Sequence, residues 1–193
     1  MLTVALVGKP SITAANEPPA SPEVTAAMQA YLDSYKLAGV VALSADRTGK
    51  VRHRNLHGYS RGGLGFLTKP LSDRAHRFPE AGGGSFSTTH DILRYGLMLA
   101  NDGEWDGKRY LSHAAMEELR KEQTGATKVN YSLGYHLRNG MFGHDGARGT
   151  DLSVNPTNGM VAVFVVQCPG PDQWAARDLF LKTATHVFKN SAP

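Results

Sequence analysis

The run from Met160 to Val166, Met-Val-Ala-Val-Phe-Val-Val, limits most sharply what this chain can become. It is too short to cross a bilayer and too rich in β-branched residues for a helix, so it is expected to be a buried strand. Ahead of it, Asn155-Pro-Thr-Asn-Gly159 is turn chemistry, with Asn158 and Gly159 able to take positive φ. Thr150 to Asn155 predicts a short strand before that turn. Met141 to Thr150 predicts another, through Phe142-Gly143-His144-Asp145-Gly146. Residues 141–167 thus read as three consecutive strands. Gly146 lets the backbone approach closely whatever His144 points at.

The rest of the chain supplies partners for such a sheet. Ser21-Pro22-Glu23 is a helix start, with Ser at the N-cap and Pro in the first turn, and Val24, Met28, Tyr31, Leu32 and Tyr35 recur at helical spacing toward Ala38-Gly39. Val40 to Ala45 and Lys50 to His57 flank the turn Asp46-Arg-Thr-Gly49 as a hairpin. Thr88 with Asp91 forms a capping box for a helix whose apolar face is Ile92, Tyr95, Gly96 and Leu99, ending at Asn101-Asp-Gly103. Ser112 caps a further helix through Ala115, Met116 and Leu119. Tyr131 to Leu137 alternates as a strand does, and Asn139-Gly140 turns it into residue 141. Asp172 to Phe188 is a final helix. The expected fold is an α/β (α+β) sandwich: an antiparallel sheet of about five strands flanked by N-terminal and C-terminal helices.

A chain of 193 residues is long enough for one core, and 41% apolar with 20% charged residues is an ordinary globular composition. Residues 1–21 read as a flexible arm or linker, residues 22–193 as a single domain, and residues 58–84 as an irregular connection within it. The net charge of +4 is spread without a basic stripe, so no nucleic-acid partner is expected, and no membrane span. Leu2 to Val7 lack a cationic segment before them, which leaves a signal peptide poorly supported and the compartment undefined. The one cysteine, Cys168, permits no internal disulfide.

Several segments, in order, resemble the serine β-lactamase and penicillin-binding-protein superfamily, in its class C and family VIII esterase branch. Gly83-Gly84-Ser85-Phe86-Ser87-Thr88 with Asp91 is similar to that branch's helix start. Met98 to Ser112 and Gln123-Thr-Gly125 are similar to the segments that follow it. Tyr131-Ser-Leu-Gly-Tyr135 and Phe142-Gly-His-Asp-Gly146 resemble the strand bearing the His-x-Gly counterpart of Lys-Thr-Gly. The resemblance implies a β-lactamase/transpeptidase-like sheet with the helical domain largely missing. Family chemistry also needs a Ser-x-x-Lys turn, in which lysine serves as base to the nucleophile. No Ser-x-x-Lys occurs in these 193 residues. Phe66-Leu-Thr-Lys69 has phenylalanine where the serine would stand, so Lys69 has no hydroxyl to activate.

The resemblance places His144 on the wall of the acyl pocket and makes the backbone N–H of Ala147 an oxyanion donor. Asp145, Gly146 and Arg148 complete the expected substrate-binding set, with Asp145 placed to orient His144 or to repel an anionic substrate. Tyr59, in Tyr-Ser-Arg, is a weaker candidate for the proton shuttle, and Ser87 a weaker one for a nucleophile, since helix capping explains hydroxyls at Ser87 and Thr88. His53 and His57 lack a third ligand at useful spacing, so no metal is expected. No cofactor is expected either. Two functions follow. One is a scaffold, inactive or very weakly hydrolytic, that binds β-lactam, peptide or acyl ligands. The other is a small esterase or β-lactamase-like hydrolase that pairs a remaining hydroxyl with His144. A sheet face without its helical domain also predicts a homo-oligomer covering it.

Overall fold

The computed structural model describes residues 21–34, 37, 39–58, 87–127, 129–147, 149–166 and 172–190, with the backbone alone at 39 and 51–58. Tyr59, Ser85, Arg148 and most of the expected arm and irregular connection lie outside the described residues.

The expected antiparallel α/β sandwich is present. Its elements run α1 (Pro22–Asp33), β1 (Gly39–Ala45), β2 (Val51–Gly58), α2 (Thr89–Ala100), β3 (Glu104–Trp105), β4 (Lys108–Arg109), α3 (His113–Arg120), β5 (His136–Arg138), β6 (Met141–Asp145), β7 (Asp151–Val154), β8 (Val161–Val165) and α4 (Asp172–Asn190). Six strands form the main sheet among the described residues, in the order β2-β1-β8-β7-β6-β5, and β3 with β4 makes a separate small hairpin. The N-terminal hairpin joins the C-terminal strands through β1 on β8, with Val41 opposite Val165 and Ala45 opposite Val161.

β8 is central, which explains why its sequence is apolar throughout and does not alternate. Val161 and Val163 face one core, with Leu93, Leu97, Leu152 and Phe142. Ala162 and Phe164 face the other, with Met28, Leu32, Ala176 and Phe180. Phe164 stacks on Phe180 at 5.4 Å between ring centres. Each large side chain buried in this way contributes roughly 1.5–3 kcal/mol. The face that the sequence reading left without its helical domain is covered over β7 and β8 by α2. Gly96 makes that approach possible: a Cβ there would lie 2.5 Å from Val161 Cγ1 and 2.8 Å from Leu152 Cδ1.

Local differences from expectation have physical causes. α1 stops at Asp33, where Ser34 Oγ donates to the Ala30 carbonyl at 2.7 Å, and Leu37 then turns into the second core. On α2 the buried set includes Leu93 and Leu97, and Tyr95 is 45% exposed with its hydroxyl against that of Tyr135. Of the segment 131–137 only His136 and Leu137 are in β5, which runs on to Arg138. Gly134 takes φ +85°, and the Ser132 N–H donates to the Tyr135 carbonyl, so the chain turns where alternation predicted extension. Among the described residues no helix is long and apolar enough to cross a membrane.

Candidate functional site

Asn139 and Gly140, at φ +53° and +74°, form the two-residue turn between β5 and β6, and this turn dictates register. His136 then pairs with Gly143, Leu137 with Phe142 and Arg138 with Met141. On the other side of β6, Gly143 faces Ser153, His144 faces Leu152 and Asp145 faces Asp151. Gly143 has no room for a side chain, because a Cβ would sit 1.8 Å from the Leu152 carbonyl oxygen. Phe142 is buried beneath Tyr135, with the Arg120 guanidinium 5.6 Å from its ring centre.

His144 is exposed at the end of β6. Its Nδ1 donates to the Asp145 backbone carbonyl, so the neutral ring carries its free lone pair on Nε2. The ring lies 4.9 Å from that of His136 and 5.8 Å from that of Tyr131, centre to centre. Among the described residues no serine, threonine or tyrosine hydroxyl hydrogen-bonds His144. Ser87 is exposed and donates weakly to the Thr88 carbonyl at 3.4 Å, while Thr88 is the N-cap that accepts from the Asp91 N–H.

The Asp145 carboxylate is engaged chiefly by cationic and imidazole groups. It is only 14% exposed and meets Arg177 Nη1 of α4 at 2.6 Å, His136 Nε2 at 3.2 Å and Arg138 Nη1 at 3.6 Å. Pleating puts it on the α4 face of the sheet, where it holds His136 and Arg177; the hydrogen bond of His144 goes to the Asp145 backbone carbonyl, while a carboxylate oxygen stays within 4.8 Å of a His144 ring nitrogen. Burial disfavours the Asp145 charge, but Arg138, its own backbone N–H, Arg177 and His136 outweigh that and hold the carboxyl below its usual range. Burial first, and then the charge of Arg138, push His136 below the ordinary imidazole range. Asp151, buried beside them, is raised to about 6 by loss of solvent, although Ser153 donates a hydrogen bond to it at 2.8 Å.

Beyond β6 the chain closes a tight loop, with the Gly146 N–H on the Thr150 carbonyl and the Gly149 N–H on that of Gly146, both at 2.8 Å. Gly146 cannot accept a Cβ, which would lie 2.3 Å from Thr150 Oγ1. Ala147 is exposed, and its carbonyl accepts from Gln173 Nε2 at 3.4 Å. A cleft of about 800 Å³ opens between this strand pair and α4, lined by His136, Arg138, His144, Asp145, Trp174 and Arg177 among others. Its volume suits a small organic ligand.

Sequence reasoning did not find His136, Arg138, Asp151, Trp174 or Arg177. The first two were within reach, since a two-residue Asn-Gly turn fixes which residue of β5 stands beside Gly143. The α4 residues were not, because no local pattern tells how a distant helix docks.

No curated protein sequence matches the chain. Among solved structures, "Putative 6-aminohexanoate-dimer hydrolase from Bacillus anthracis" is similar at 27% identity, with a TM-score of 0.42, over 53% of this chain and 30% of that one. The chain thus corresponds to less than a third of that neighbour's length. The family model described as Beta-lactamase matches residues 14–185, nearly the whole chain, and this chain is a member of that family.

Proposed function

We propose that this β-lactamase-related domain binds small acyl, peptide-like or β-lactam-like ligands in the cleft beside β6 and does not acylate itself. The observation that carries the reading is the solitary state of His144: among the described residues it has no hydroxyl partner, and no Ser-x-x-Lys exists in the 193 residues to provide one. Nucleophilic catalysis needs the nucleophile and its base within hydrogen-bond reach of each other. Arg138 offers an anionic, partly apolar ligand complementary charge, and the His136 and Trp174 rings offer it surface. A site stripped of its nucleophile can still retain roughly 10³ to 10⁴-fold acceleration through binding and oxyanion stabilisation, enough for traces on activated esters.

Turnover of nitrocefin and p-nitrophenyl acetate by the wild type and by His144→Ala tests the reading, with equilibrium dialysis of benzylpenicillin as the binding arm. Saturable binding with negligible turnover in both proteins is expected. Efficient turnover that His144→Ala abolishes would establish the hydrolase reading instead.

A further inference from the structure

The geometry points to a divalent transition-metal site formed by His136, His144 and Asp145. One ligand atom from each of the three lies within 4.8 Å of the others, on two adjacent strands at the mouth of the cleft. His136 Nε2 and Asp145 Oδ1 stand 3.2 Å apart. Two ligands of a tetrahedral metal with bonds of about 2.0–2.1 Å are separated by about 3.3 Å, so this pair already stands at ligand spacing.

The surrounding contacts constrain the same three side chains. His144 donates Nδ1–H to a backbone carbonyl, the usual outer partner of a metal-bound imidazole, and in that tautomer the free lone pair is on Nε2. Asp145 directs Oδ2 to Arg177 and Arg138, which fixes the carboxylate plane and leaves Oδ1 on the histidine side. Two guanidiniums oppose a cation, but Arg177 is also paired with Asp178 at 2.7 Å, and Asp151 lies on the strand register opposite Asp145. Two imidazoles and one carboxylate favour zinc, cobalt or nickel over calcium or magnesium. Three protein ligands leave further positions for water, and the exposure of His144 provides the path in. The site is independent of the acyl-ligand reading, since it is a property of three side chains and can exist with or without an organic ligand in the cleft.

The test is titration of the full chain, freed of metal by chelation, with zinc and with cobalt(II), by calorimetry and by absorption spectroscopy. One equivalent should bind, and His136→Ala and His144→Ala should each weaken binding at least about tenfold. Paramagnetic cobalt should broaden the ring proton resonances of both histidines, assigned through the same two variants, whose folding circular dichroism verifies. Absence of saturable uptake, or wild-type affinity in either variant, would overturn the site. Neither result bears on benzylpenicillin binding measured in the presence of chelator.

Discussion

Asp145 on β6 and Arg177 on α4 meet at 2.6 Å, with 14% and 12% of their side chains exposed, so the strand that carries His144 is fastened to the terminal helix by charge. Removing one partner of a desolvated pair leaves the other buried without compensation, at a cost of 3–5 kcal/mol in well-buried cases. Arg177→Met should therefore destabilise the domain by about 3 kcal/mol, the low end, because both groups keep some contact with solvent. Urea denaturation of the variant checks this, and a loss under 1 kcal/mol would mean that the pair does not hold the helix.

Asp151 gives the fold a pH signature. Burial raises its folded-state value to about 6 from 3.8, so the folded protein holds this proton more tightly than the unfolded chain does. Its contribution is fully favourable below about pH 4 and is lost as pH rises to 6, a difference of roughly 3 kcal/mol across the window. Asp151→Asn keeps an acceptor for Ser153 and removes the titration. The stability of the variant relative to wild type should accordingly rise between pH 4 and 6.5 and level off above that. Parallel stability curves for the two proteins would show that Asp151 is solvated.

Two glycines make different predictions although both mark a close approach. At Gly96 the intruding Cβ meets side-chain methyls, Val161 Cγ1 and Leu152 Cδ1, rather than backbone, so Gly96→Ala should cost about 1–3 kcal/mol as overpacking. At Gly143 it meets the Leu152 carbonyl at 1.8 Å, within the β6–β7 ladder itself, where nothing but backbone can move. Gly143→Ala should cost more than Gly96→Ala and alter amide exchange along β6 and β7. The reverse order in thermal denaturation would contradict the register given for these strands.

The sheet was legible because its signals are local. Val161 to Phe164 are apolar without alternation, as a strand between two cores must be, and Asn139-Gly140 and Asn155 to Gly159 are turn residues whose backbone angles follow from their side chains. Ser21, Thr88 and Ser112 announce the helix starts that they cap. The short β5 was overextended because alternation from Tyr131 to Leu137 concealed the left-handed Gly134. At the candidate site, the place of His144 on a strand was legible from its sequence and the ion pairs of Asp145 were not. Which face an end-of-strand carboxylate serves depends on where Arg177 arrives, and that is a property of how α4 packs.

The most direct test of noncovalent binding is intact-mass spectrometry of the full chain after incubation with labelled penicillin and with a fluorophosphonate. Unmodified mass with both reagents, together with saturable dialysis binding of the penicillin, is the predicted result. A stoichiometric adduct on any hydroxyl, mapped by peptide sequencing and abolished in His144→Ala, would contradict it.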